Sequence, residues 1–274
     1  MSARVWIVGP IAWDTVVYLP SMPEVGKFVQ GTRTIERPGG TAANAAIALA
    51  TTGIETGFVG YVGNDELSAK LMATLDSSEL KHLSIIHLEG PPSHVLILID
   101  ENGERTILGI SPDRLDQVNL KNVDLREGDT VVFLLWREHF AADLELAKSK
   151  GCTIIVGVEA LSRGIEADVV IGSRGDCLDI EISEELLSRI PRIVLTNGAD
   201  GADEYFNGKH IHQPSLATKI VDTTGAGDAF LAGYVSVLAR GENYEGEALT
   251  IGSRWSAYAI ATQNSIPPHW NEII

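Results

Sequence analysis

An α/β fold, doubly wound around a mostly parallel central sheet with helices on both faces and carrying a small β-sheet lid, is what this sequence predicts. Three observations lead to it. Short apolar, β-branched runs recur along the chain, and helical patterns fall between most of them. Two stretches break that alternation with extended character and turn residues, as a separate small sheet would. The length of 274 residues, at 29.5 kDa, is enough to bury a substantial core and suits one large domain with an appendage.

Taken in order, the runs Arg4–Gly9, Thr56–Tyr61, Leu83–Leu88, Thr130–Leu135, Thr153–Gly157, Asp168–Ile171 and Arg192–Thr196 read as buried strands. The patterns Thr41–Thr52, Glu66–Leu75, Phe140–Ser149 and Glu184–Arg189 read as the helices between them. From Val16 to Arg37 the chain is extended but broken by Pro20, Pro23 and Gly26, and His94–Ile110 reads as a hairpin turning at Glu101-Asn102-Gly103. These segments, 16–37 and 94–110, follow the first and third strands, so both can project from one edge of the core as a lid over a crevice. A second hairpin joins Ala202–Phe206 to Lys209–Gln213 through Asn207-Gly208, and two helices, Ala226–Arg240 and Glu245–Thr262, follow. The expected organisation is thus a single domain over 1–274 with the lid inserted in it.

Composition narrows the function. A hydrophobic share of 45% and a charged share of 21% are those of an ordinary globular chain. A formal net charge of −16 disfavours a nucleic acid or an anionic membrane as partner, since both are bound through clustered Lys and Arg. Any nucleotide site must then draw its positive potential from glycine amides, helix ends or a bound cation. The apolar stretch Val5–Ala12 contains Gly9 and Pro10 and is followed by Asp14, so it reads as a strand rather than a signal peptide, and no run is long enough to span a bilayer. With only Cys152 and Cys177 there is neither a disulfide framework nor a zinc set, and a cytoplasmic location is expected. No GxxxxGK[ST], GxGxxG or GxSxG pattern is present, which argues against a P-loop ATPase, a dehydrogenase and a serine hydrolase.

The run Asp222-Thr223-Thr224-Gly225-Ala226-Gly227-Asp228-Ala229-Phe230 joins a glycine turn to a carboxylate at the mouth of a helix. Gly225 and Gly227 allow consecutive amides to converge on one anion, and the positive end of the following helix faces the same anion. Asp228 is either a base beside that phosphate cradle or an ordinary helix-start residue. Gly39-Gly40-Thr41, with Asn44 on an Ala-rich helix face, either lets a ligand approach the backbone or is a plain turn with Thr41 as N-cap. Asp14 is either a ligand for substrate hydroxyls or a turn former. Thr196-Asn197-Gly198-Ala199-Asp200-Gly201 can pass under a nucleotide, as many loops of such composition can. His210 and His212 share a strand face and read as decoration of an exposed hairpin.

Together these residues resemble the ribokinase-like, or phosphofructokinase-B type, family of carbohydrate kinases over nearly the whole chain. The 222–230 string is similar to that family's C-terminal signature, Gly39-Gly40 with Asn44 to its N-terminal one, and Val16–Arg37 to its lid arm. The resemblance implies an ATP-dependent kinase of a small sugar or sugar derivative, with Asp228 as general base and Gly225, Ala226 and Gly227 as anion hole. It implies substrate contacts from Asp14, Gly39, Gly40, Asn44 and Arg105, and nucleotide contacts from Thr196, Gly198, Gly201 and Thr224. It also implies Mg²⁺, with Ser173 and Asp176 in place of the family's Asn-x-x-Glu motif and Asp176 holding metal-bound water, and a monovalent cation such as K⁺ at Asp222 and Thr224. A homodimer paired through the lid sheet is expected. The alternatives are a nucleoside kinase of the same family, for which Trp13, Tyr18 and Phe28 supply aromatic surface, and a non-catalytic sugar or nucleotide sensor.

Overall fold

The fold was read from a computed structural model that describes residues 3–103, 105–241 and 246–274. Strand β1 (Val5–Val8) shows why an unbroken apolar run was needed. Val5 and Ile7 enter one hydrophobic layer while Trp6 and Val8 enter the other, because successive side chains leave opposite faces of a strand. The chain then departs from this core into β2 (Ala12–Tyr18) and β3 (Arg33–Gly39), and returns through helix α1 (Thr41–Ala50), β4 (Thr56–Val62), α2 (Glu66–Asp76) and β5 (His82–His87). A second excursion makes β6 (Ser93–Ile99) and β7 (Arg105–Gly109). The alternation resumes with β8 (Thr130–Phe133), α3 (Phe140–Ser149), β9 (Thr153–Gly157), β10 (Val169–Ser173), α4 (Glu184–Arg189) and β11 (Arg192–Thr196). The hairpin β12 (Ala202–Phe206) and β13 (Lys209–Gln213) leads to α5 (Ala226–Ala239) and α6 (Glu247–Ala259).

The main sheet has nine strands in the order β13-β12-β11-β10-β9-β8-β1-β4-β5. Every pairing from β11 to β5 is parallel, and the terminal hairpin is antiparallel. Helices α1, α2, α5 and α6 cover the face that Val5 and Ile7 enter, and α3 and α4 cover the other. From β1 the chain winds first toward β4 and later toward β8, so β1 and β8 flank the switch point where open sheets of this kind bind ligands. The excursions form a separate four-stranded sheet in the order β3-β2-β6-β7.

The differences from expectation have local causes. The lid begins at Ala12 rather than Val16, which puts Asp14 inside β2 in register with Arg37 and removes its reading as a turn former. Strand β8 ends at Phe133 rather than Leu135, because Leu135 has a φ of 57°, a left-handed conformation that no strand continues through. Strand β5 closes the sheet edge, so none of its residues is fully buried, although an apolar run had suggested a covered strand. Glu104 of the lid hairpin and Glu245, the expected first residue of the last helix, lie outside the described residues. Among the described residues no helix is long and apolar enough to cross a membrane.

Candidate active site

The turn before α5 is built around Asp222. One oxygen of its buried carboxylate accepts the Thr224 N–H at 2.8 Å, and Ala226 N–H reaches back to the Thr223 carbonyl at 3.4 Å. Gly225 takes the N-cap position in the left-handed region, φ 80°, with no side-chain cap. The first-turn amides of α5 therefore lack helical partners, and the positive end of the helix dipole lies behind them. A Cβ added at Gly227 would meet nothing within 4 Å, so this first turn faces open space.

Asp228 does not cap its own helix. Its carboxylate crosses to α1, where Asn44 Nδ2 donates to one oxygen at 2.8 Å and the Thr41 hydroxyl donates to the other. Thr41 as N-cap was one of two readings of this turn; Gly40 holds that place, with no side-chain bond, and leaves the Thr41 hydroxyl to Asp228. Burial pushes the Asp228 carboxyl above the usual carboxylate range, while the two hydrogen bonds and the Arg105 charge pull it down. Asn44 Oδ1 is buried without a partner among the described residues, so an acceptor is left over beside the Asp228 carboxylate.

Asp14 approaches from the lid. Its carboxyl, 4% exposed, lies against Gly39, where an added Cβ would sit 2.2 Å from Oδ2. Burial, opposed by the Arg37 charge and helped by the charges of Asp228 and Asp222, raises the carboxyl to about 7. Gly40, φ 96°, is equally constrained, because a Cβ there would lie 2.7 Å from Ile11 Cα and the Pro10 carbonyl. The second lid arm brings Arg105, whose Nη1 donates to Thr223 Oγ1 at 3.1 Å.

Sequence reasoning missed Arg37. Its Nη1 pairs with the second Asp222 oxygen at 2.9 Å and also donates to the Gln263 carbonyl, while Nε and Nη2 are buried without partners among the described residues. Thr41 was noticed only as a cap.

The remaining candidates lie along the carboxyl ends of β10 and β11. Thr196 closes β11 beside Ser173, and its hydroxyl donates to the Gly172 carbonyl at 3.3 Å. Gly198 has open space where a side chain would be, whereas a Cβ at Gly201 would lie 2.1 Å from the Gln213 carbonyl. Gly201 thus lets the loop pass close to the end of β13. Asp176 is exposed on the turn of 3₁₀ helix after β10, where Ser173 accepts the Gly175 N–H at 3.2 Å. No group of three His, Cys, Asp or Glu side chains able to hold a metal ion occurs among the described residues. His210 and His212 are exposed and share Asp203, in keeping with a hairpin surface.

A doubly wound sheet with this lid and helix entrance is a kinase fold of the ribokinase type. Phosphofructokinase-2 of Escherichia coli, solved in complex with potassium, superposes with a TM-score of 0.78 at 18% identity, over 99% of this chain and 97% of that one. In sequence, the ribokinase of Bacillus subtilis is 23% identical over 280 residues, covering 94% of this chain and 93% of its own. The ATP-dependent ribose-1-phosphate kinase of Halopiger xanaduensis is 27% identical over 264 residues, covering 85% and 84%. The profile of the pfkB family carbohydrate kinases matches residues 5–153 and 166–272, and the chain belongs to that family.

Proposed function

We propose that the protein transfers the γ-phosphoryl group of ATP to a hydroxyl of a small sugar or sugar derivative, with Asp228 as general base and the Gly225, Ala226 and Gly227 amides as anion hole. The observation that carries this reading is the Asp228 carboxylate, buried at the mouth of α5 and clamped by Thr41 and Asn44. The substrate oxygen attacks phosphorus while the bond to the ADP oxygen breaks and takes its electron pair to ADP; the hydroxyl proton passes to Asp228. A placed base contributes roughly 10²–10⁴-fold, and oriented amides stabilise the charge spread over the transferring group. Asp14, the free Asn44 Oδ1, Gly39, Gly40 and Arg105 surround the sugar, and Thr196, Gly198, Gly201 and Thr224 line the nucleotide side. The lid and core act as one ribokinase-like domain in this reading.

Magnesium fits the donor set in a limited way: the exposed carboxylate of Asp176 suits a cation held mainly by water and nucleotide phosphates rather than by a protein cage. When bound with the nucleotide, Mg²⁺ supplies charge neutralisation of its phosphates. Strand β7, exposed at all five residues, is the lid edge through which a homodimer would pair. Both cysteines are free, which agrees with a reducing cytoplasm.

Replacing Asp228 by Asn tests the mechanism. The expected result is a loss of turnover of about 10³-fold or more, with ADP binding by calorimetry unchanged. Full activity in D228N overturns it, and saturable sugar binding with no phosphorylated product in the wild type points to the sensor instead.

A further inference from the structure

Asp222 and Thr224 were expected to hold a monovalent cation, and the residues around them do not fit one. Both oxygens of Asp222 are taken, one by the Thr224 N–H and the other by Arg37 Nη1, and the same guanidinium nitrogen also claims the Gln263 carbonyl. Arg37 and Asp222 are 7% and 5% exposed, so the pair has little contact with water. Arg37 already sets a full positive charge against Asp222, with Asp14 also in its field; the Thr224 hydroxyl is buried without a partner among the described residues, but one neutral hydroxyl beside a guanidinium does not make a cation site in this desolvated space.

Arg37 stands where three parts of the chain converge. It leaves β3 at the root of the lid, grips the turn that leads to Gly225, and ties both to the segment after α6. That segment is itself pressed on the turn: a Cβ at Gly225 would lie 2.3 Å from the Ser265 carbonyl, and the Ser265 hydroxyl donates to the Pro38 carbonyl. A positive charge at this junction holds the anion-hole turn in shape and offsets the negative charge of Asp222 behind it. An arginine does so permanently, since it is part of the chain and cannot dissociate from it.

We infer that the Arg37 guanidinium is this protein's own fixed cation beneath the anion hole, taking the place of an alkali ion, so that the phosphotransfer proposed above runs without potassium. Arg37 acts through the 222–225 turn and is a positioning residue. The inference rests on the kinase reading only for its rate arm; the melting arm needs no substrate.

The wild-type enzyme is assayed, and melted, in KCl and in tetramethylammonium chloride at one ionic strength. Rates are expected to agree within about twofold, with no difference in melting temperature. In Arg37→Ala the rate in tetramethylammonium falls by about tenfold or more, and KCl restores much of it while raising the melting temperature, because the emptied place now binds the ion. Arg37→Gln, closer in volume, serves the same purpose where the alanine variant is unstable. A wild type that needs K⁺ for activity or is stabilised by it overturns the inference, as does an Arg37→Ala enzyme fully active without alkali ions. Absence of phosphorylated product in every salt, across a panel of sugars, counts against the kinase reading, and the melting curves still decide the cation question.

Discussion

Asp14 and Asp228 are both carboxylates pushed upward by burial, and their neighbours separate them. Asp228 receives two hydrogen bonds, whereas Asp14 has the Arg37 charge on one side and two carboxylates on the other. Asp14 therefore titrates at about 7, against 3.8 for the ordinary group. A carboxyl raised in the folded state binds its proton more tightly there than in the unfolded chain. Its stabilising effect is full below the unfolded value and is lost as pH rises through the folded one. The ligand-free protein is expected to lose stability through that window, and Asp14→Asn, neutral at every pH, to lose less of it. Urea midpoints of both proteins at about pH 5 and about pH 8 check this, and parallel declines count against it. The same substitution removes an acceptor for substrate hydroxyls, so the sugar KM rises. Asn44 and Asp228 were legible in the sequence because each is a polar residue among glycines or alanines where packing alone gives no reason for it, and Asp14 because it follows the first strand at the end where open sheets place their ligands. Arg37 was not, since its partner Asp222 is 185 positions away and only the folded lid root brings them together.

At the scale of elements, the entrance to α5 separates two glycines that look alike in the sequence. Gly225 has a φ of 80° and a backbone carbonyl where its Cβ would go, while Gly227 has neither constraint. Gly225→Ala is expected to destabilise the fold by about 1–3 kcal/mol and to abolish turnover, because the turn must open. Gly227→Ala is expected to melt like the wild type yet bind ATP weakly, its methyl projecting into the space before the helix. Melting temperatures and nucleotide titrations of the two variants decide; equal stability loss in both would overturn the distinction. Elements of strong period, such as α3, β9, α4 and β11, stand where the sequence pattern puts them. The misplaced boundaries are those set by tertiary demands: Leu135 turns left-handed where β8 meets its crossing, and β2 starts early because it pairs with β3 and β6 along its whole length.

Across the whole molecule, the lid sheet reaches the core's C-terminal part through three arginines. Arg33 meets Gln263 Oε1 at 3.1 Å, Arg37 meets Asp222, and Arg105 meets Thr223 Oγ1. In a chain of net charge −16 these are local positive points around an anion site, and Arg105 also lowers the proton affinity of Asp228 from the lid side. The lid thus tunes the Asp228 carboxylate proposed as base. Arg105 is exposed, so removing it should leave stability almost unchanged. Without its charge the Asp228 carboxyl rises, and since only the ionised form accepts the substrate proton, the acid limb of the kcat profile moves to higher pH. Arg105→Met is expected to show that alkaline shift together with a raised sugar KM, and Arg105→Lys to restore the limb more than the KM, because lysine returns the charge but not the guanidinium's reach to Thr223. An acid limb that stays in place in Arg105→Met would mean that the lid closes the site without tuning its base.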